Sequence, residues 1–135
     1  ACTMNSILKQ FIKHLTVGEN EVVLLDMEAG VEHFGRGVDN SVDLILMIVD
    51  PSFESLKLTK KIQQLGDSIG KTVFFVLNKV NELVLPTMLE SIDDQSKVLA
   101  VISTDTEIAR KGLVGDELMM EIPEIHMLAR KILKQ

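Results

Sequence analysis

Residues 44–52 read LILMIVDPS, an unbroken apolar run that closes on a polar turn. Three further apolar runs, at residues 22–25, 73–77 and 98–102, also end at polar residues. A strand that is apolar on both faces is typical of a parallel sheet covered by helices on both sides. We therefore predict parallel strands near residues 22–27, 44–49, 72–77 and 97–102.

Amphipathic segments separate the apolar runs. Ser52 begins a long one, in which apolar residues follow helical spacing until Gly70 ends the pattern. Thr104, three residues before Glu107, matches the capping-box pattern and predicts another helix start. Strands that alternate with helices predict an α/β fold with a doubly wound parallel sheet, in a single domain over residues 1–135.

Composition limits the classes of function. The 135 residues are 46% hydrophobic and 25% charged, as in a globular protein, and carry a formal net charge of -6. An acidic chain repels phosphate backbones, so we expect no nucleic-acid partner. No apolar run approaches the ~20 residues of a spanning helix, and no signal-peptide pattern is present. With one cysteine, which excludes an internal disulfide, we expect a cytoplasmic protein without a membrane partner.

A polar residue follows each apolar run, and these residues are candidates for a binding site. Ligands of open α/β sheets bind beyond the carboxyl ends of the strands, so the four residues should share one edge: Asp26, Asp50, Asn78 and Asp105. Asp26 could hold Mg²⁺ through water, because this ion prefers oxygen ligands and keeps its hydration shell. Gly30 would let its backbone approach a phosphate closely. A simple turn after a strand is the alternative interpretation.

The Asn78-Lys79 pair and the missing glycine pattern bear on nucleotide chemistry. An Asn side chain offers a donor and an acceptor, which suits the edge of a purine base; a solvated turn is the alternative.

Phosphoryl transfer in this architecture needs a Gly-rich loop with Lys and Ser/Thr. The eight glycines nowhere form a GxxxxGK[ST] run. We predict that this chain alone does not hydrolyse ATP.

Residues 21–37, EVVLLDMEAGVEHFGRG, carry a family resemblance. They resemble the second switch of the deviant-Walker P-loop ATPases that include MinD and ParA. The form DMEAGVEHFGRG resembles the CooC group, accessory ATPases that support nickel insertion into carbon monoxide dehydrogenase. The DPS turn at residues 50–52 and the NKV triplet at 78–80 fit the same family. The resemblance implies a partial P-loop NTPase fold, truncated so that the P-loop and first switch lie upstream of Ala1.

The resemblance also implies roles for individual residues, with ATP and Mg²⁺ as cofactors. Asp26 matches the aspartate that reaches the magnesium shell, and Gly30 matches the glycine that faces the γ-phosphate. Asn78 matches the residue that contacts the base, with Lys79 beside it. Asp105 lies in the loop that borders the adenine, although relatives often have Pro where this chain has Ser-Thr just before it.

Cys2 falls where the second cysteine of the family's CxC motif belongs. The resemblance implies a homo-oligomer in which such thiolates bind Ni²⁺ or Zn²⁺. Thiolates are soft ligands, which suit both metals. It also implies a nickel enzyme as the client; a free terminal thiol is the alternative for Cys2. Two other hypotheses for the chain remain: a non-enzymatic dimerisation or partner-docking module of the same fold, or a fragment of a general MinD/ParA-type ATPase.

Overall fold

The computed structural model describes residues 10–12, 14–27 and 42–134. In this part of the chain three parallel strands form one sheet in the order β1-β2-β3. The strands are β1 at Ile45–Val49, β2 at Val73–Val80 and β3 at Val98–Ser103. The helices that follow β1 are α1 at Phe53–Ser68, α2 at Leu85–Glu90, α3 at Thr106–Val114 and α4 at Pro123–Ile132, with a 3-10 turn at Gln95–Lys97. Parallel strands that alternate with helices confirm the predicted α/β class.

The sheet has an apolar core on each face. On one face α1 and α2 cover the strands, and the side chains buried there include Val49, Ile62, Phe75, Leu77 and Met88. On the other face Leu128 of α4 packs with Val76 and Leu99. Side chains alternate between the two faces of a strand, so a strand covered on both sides is apolar throughout. This arrangement explains the unbroken run of β2 and confirms the doubly wound sheet.

The predicted strand at residues 22–27 is wrong. Residues 21–27 have no regular secondary structure, and the Leu24 side chain is 85% exposed. A strand persists only where a neighbouring strand pairs with its backbone groups. In the described residues the sheet ends at β1, and nothing pairs with this segment. An apolar run alone therefore does not make a strand.

The two helix starts predicted from sequence have different outcomes. Ser52 is the N-cap of α1, as predicted, and its hydroxyl accepts a hydrogen bond from the Ser55 N–H at 3.2 Å. The prediction for Thr104 is wrong, because Asp105 is the N-cap of α3. Its Oδ1 accepts from the N–H groups of Glu107 at 2.7 Å and Ile108 at 3.0 Å. An aspartate satisfies these N–H groups and also opposes the positive end of the helix dipole.

Gly66 lies where α1 contacts Val73, the first residue of β2. A methyl group at this position would lie 2.4 Å from Val73 Cγ2 and 2.9 Å from the carbonyl oxygen of Lys71. Both distances are too short for a carbon contact. We expect Gly66→Ala to lower the free energy of unfolding by about 1–3 kcal/mol, as overpacked cores do. Urea unfolding followed by circular dichroism measures the change.

Gly112 is the matched control, because it lies inside α3 with nothing within 4 Å of its potential Cβ. Gly112→Ala should raise the free energy of unfolding by about 0.5–1 kcal/mol, since alanine loses less conformational entropy in a helix. If both variants changed the stability in the same direction, the close approach at Gly66 would not be the cause.

Candidate functional site

The carboxyl edge of the sheet brings Asp50, Asn78 and Lys79 together. Asp50 follows β1, and the other two residues lie near the end of β2. Val49 pairs with Leu77 in the parallel ladder, so the residues that come next along each strand are neighbours. The sequence had placed Asn78 beyond the end of a strand; the strand instead continues to Val80.

The Asp50 carboxylate is the centre of this cluster. Its Oδ1 accepts a hydrogen bond from Asn78 Nδ2 at 2.9 Å, and its Oδ2 accepts one from Lys79 Nζ. The Asp50 backbone N–H donates to Ser55 Oγ at 3.1 Å. Ser55 is in the first turn of α1, so the cluster joins β1, β2 and α1. We call Asp50, Asn78 and Lys79 the carboxylate cluster.

Lys79 has a left-handed backbone conformation, with φ at 55°. This is uncommon for a residue with a side chain and is mostly seen at turns and functional sites. The pairing of β2 with β3 shifts in register between Leu77 and Val80, at the same place. Consecutive strand residues normally point to opposite faces. The irregular backbone instead allows Asn78 and Lys79 to reach the same carboxylate.

A pocket of about 230 Å³ lies beside the end of β3. It is lined by Ile102, Ser103, Thr104, Asp105, Ile108, Met120, Glu121, Ile122, Pro123 and Glu124. The Thr104 N–H donates to the Val80 carbonyl oxygen at 2.9 Å, so this wall is tied to the end of β2. Pockets for whole ligands usually measure about 300–1,000 Å³. This pocket therefore suits a group the size of a base better than a whole nucleotide.

The remaining site residues from sequence have different positions. Asp105 lines the pocket, but its Oδ1 is engaged in capping α3. Asp26 is exposed and lies in the segment without secondary structure, and no hydrogen bond or ion pair of the described residues joins it to the carboxylate cluster. Gly30 and Cys2 lie outside the described residues, so their roles stay predictions.

Sequence reasoning included Asp50 among the residues at strand ends but missed its contact with Asn78. The signal was present: both residues come directly after apolar runs that pair in the sheet.

The described residues contain neither a cluster of metal ligands nor a membrane-spanning helix. Among the described residues, no group of three or more His, Cys, Asp or Glu side chains is placed to hold a metal ion. In those same ranges, no helix combines the length and the apolar character needed to cross a membrane.

Comparison with known proteins finds relatives across most of the chain. It is 46% identical, over 125 residues, to an uncharacterized ATP-binding protein of Methanocaldococcus jannaschii, covering 93% of this chain and 50% of the relative. A second uncharacterized ATP-binding protein of that organism is 31% identical over 123 residues, 89% of this chain and 48% of the relative. The carbon monoxide dehydrogenase accessory protein CooC of Rhodospirillum rubrum is 33% identical over 115 residues, 84% of this chain and 44% of the relative. No protein-family model matches the chain.

The chain spans about half the length of the curated relatives it matches. The similarity to CooC confirms the predicted resemblance to that group, and the two other relatives are named for ATP binding. The roles of nickel, magnesium and a missing phosphate loop stay predictions.

Mutation can test that Asp105, and not Thr104, caps α3. We expect Asp105→Ala to lower the free energy of unfolding by about 0.5–2 kcal/mol, the usual cost of losing an N-cap side chain. Thr104→Ala should change it by less than about 0.5 kcal/mol, as substitutions away from such features do. Thermal and urea unfolding of both variants measure the difference. A larger loss for Thr104→Ala would assign the cap to the hydroxyl.

Proposed function

We propose that this chain is the base-binding part of a nucleotide-binding accessory protein of the CooC type. The carboxylate cluster carries the proposal; it lies at the carboxyl edge of the parallel sheet, the same edge that has a pocket of base size beside the end of β3. Ligands of open α/β sheets bind at this edge, and the similar proteins are named for ATP binding or as a carbon monoxide dehydrogenase accessory protein.

Asn78 is the residue that would contact the base. Its Nδ2 bonds to Asp50, and an asparagine amide has two N–H donors and one carbonyl acceptor. After the bond to Asp50, one donor and the acceptor remain for a ligand. The pocket walls contribute apolar side chains, such as Ile102 and Ile108, on which a flat base can pack. Asp105 would border the base while it caps α3.

The phosphate groups would be held elsewhere. By resemblance, Asp26 contributes to the shell of Mg²⁺ and Gly30 faces the γ-phosphate; bound Mg²⁺ would supply neutralisation of phosphate charge. Lys79 is engaged with the Asp50 carboxylate, so part of its charge is already balanced. The 135 residues contain no Gly-rich phosphate loop. The site of this chain alone therefore suits weak binding through the base, without hydrolysis.

The accessory role would be the support of nickel insertion into a client enzyme, with a second copy of this chain as partner. The outer edge of β1 has no neighbour among the described strands, and exposed edges favour pairing. Val22, Val23 and Leu24 are exposed apolar residues of the kind that association covers. Two Cys2 thiolates, one from each copy, are soft ligands that would suit Ni²⁺ or Zn²⁺.

Base binding predicts a specific effect of Asn78→Ala. We expect ADP to bind the chain weakly and the variant to lose about tenfold in affinity, because a bidentate contact to a base is worth about 1–3 kcal/mol. Isothermal titration or NMR titration measures the dissociation constants. Asn20→Ala, at an exposed turn residue outside the sheet, should bind as the wild type does.

Phosphate release from Mg-ATP completes this test. We expect none from the chain, because the backbone N–H groups, lysine and hydroxyl of a phosphate loop supply most of the stabilisation in phosphoryl transfer. Turnover that disappears in an Asp26→Asn variant would show that the residues present are catalytic. ADP binding that is unchanged in Asn78→Ala would remove the proposed base site.

Metal binding predicts an effect of Cys2→Ser. We expect the wild type to bind about one nickel ion for two chains, because each copy supplies one thiolate, and the variant to bind none. Equilibrium dialysis with metal analysis, alongside sedimentation to obtain the mass, measures both quantities. Equal nickel binding by the two proteins, or a monomer that binds nickel through Cys2, would contradict the shared site.

A further inference from the structure

We infer that Asp50 is a positioning residue that makes the site selective for adenine over guanine. It acts through Asn78 by fixing which end of the amide faces a ligand. The inference rests on the proposed function, in which a nucleotide base lies against Asn78. It adds the residue that decides which purine is accepted.

The chemistry of the carboxylate determines the orientation of the amide. An ionised carboxylate can only accept hydrogen bonds. The atom of Asn78 that lies 2.9 Å from Asp50 Oδ1 must therefore be the nitrogen, Nδ2, and not the amide oxygen. Lys79 Nζ occupies the other carboxylate oxygen, and Ser55 Oγ accepts from the Asp50 backbone N–H at 3.1 Å. With both ends of Asp50 held, the amide of Asn78 has one favourable orientation.

The backbone of β2 is shaped for this contact. Lys79 takes a left-handed conformation, and the register with β3 shifts beside it. Such conformations are unfavourable for a lysine and persist where the surrounding contacts hold them. Here they let Asn78 and Lys79 reach one carboxylate from adjacent positions in the chain. The strained conformation of Lys79 therefore helps to orient the Asn78 amide.

The groups left on Asn78 match one purine. Its Oδ1 has no hydrogen-bond partner within the described part of the chain, and one N–H of Nδ2 is also free of a protein partner there. Adenine presents the N6 amino donor beside the N7 acceptor, which complements an acceptor beside a donor. Guanine presents two acceptors, O6 and N7, so its O6 would face Asn78 Oδ1. Two acceptors in a half-buried site repel and leave both without a donor.

The test compares adenosine with guanosine, which removes the phosphate groups from the measurement. NMR titration of the chain should show adenosine binding about tenfold tighter than guanosine, the discrimination expected from one matched bidentate contact. The side-chain NH₂ signals of Asn78 should shift on addition of adenosine. In Asp50→Asn the new amide can either donate or accept, so Asn78 can turn over, and the preference should fall below about threefold.

The controls separate selectivity from folding. Asp116→Asn changes an exposed carboxylate that lies 4.0 Å from Arg110, and it should keep the full preference. If Asp50→Asn does not fold, Asp50→Ser makes the same test, because a hydroxyl can also donate or accept.

Each outcome has one meaning. A preference that persists in folded Asp50→Asn or Asp50→Ser overturns the role of Asp50 and leaves base binding in place. If the wild type binds both nucleosides equally, the role of Asp50 in selectivity is also overturned, and base binding is left in place. A wild type that binds neither nucleoside overturns the proposed function, and the inference with it.

Discussion

The pairing of β2 with a parallel strand on each side is the constraint on which the described structure depends. Val73, Phe75, Val76 and Leu77 are almost fully buried because β1 and β3 flank the strand and helices cover both faces. Burying such side chains contributes about 1.5–3 kcal/mol each. Side chains of α1, α2 and α4 pack into the apolar cores on its two faces. The position of the site follows, because the end of β2 carries Asn78 and Lys79.

The site is built where this regular pairing ends. Up to Leu77 the strand follows the ladder with β1. Beyond Leu77 the register with β3 shifts, as it also does between Phe75 and Val76, and Lys79 is left-handed. The part of β2 that pairs with β1 is almost fully buried, and the irregular part directs two adjacent side chains to Asp50. An exposed ion pair alone is worth little. The bond between Asp50 and the half-buried Asn78 matters more, because it leaves the amide with defined hydrogen-bonding groups.

The proposed function separates recognition of a base from chemistry on phosphates. The carboxylate cluster and the pocket beside β3 lie at one edge of the sheet, whereas Asp26 lies in an exposed segment without strand partners. The chain spans about half the length of the relatives to which it is similar. The proposed division is physically reasonable, because a base is held by shape and a few hydrogen bonds, whereas phosphates need a concentrated array of donors.

Residue patterns alone predict the strands near residues 44–49, 72–77 and 97–102, and the N-cap at Ser52. Each depends on local properties: an unbroken apolar run marks a strand covered on both faces, and a hydroxyl before an amphipathic segment begins a helix. The resemblance in the DMEAG segment was also readable from residues alone.

Four features depend on the three-dimensional arrangement of the chain: the absence of a strand at residues 22–27, the N-cap at Asp105, the left-handed Lys79 and the contact between Asp50 and Asn78. The first depends on which strand lies alongside, and a strand without a partner leaves its backbone groups unpaired. The others depend on how the ends of neighbouring strands meet. A one-residue shift in register changes which side chains face one another, and no property of a single segment contains that information.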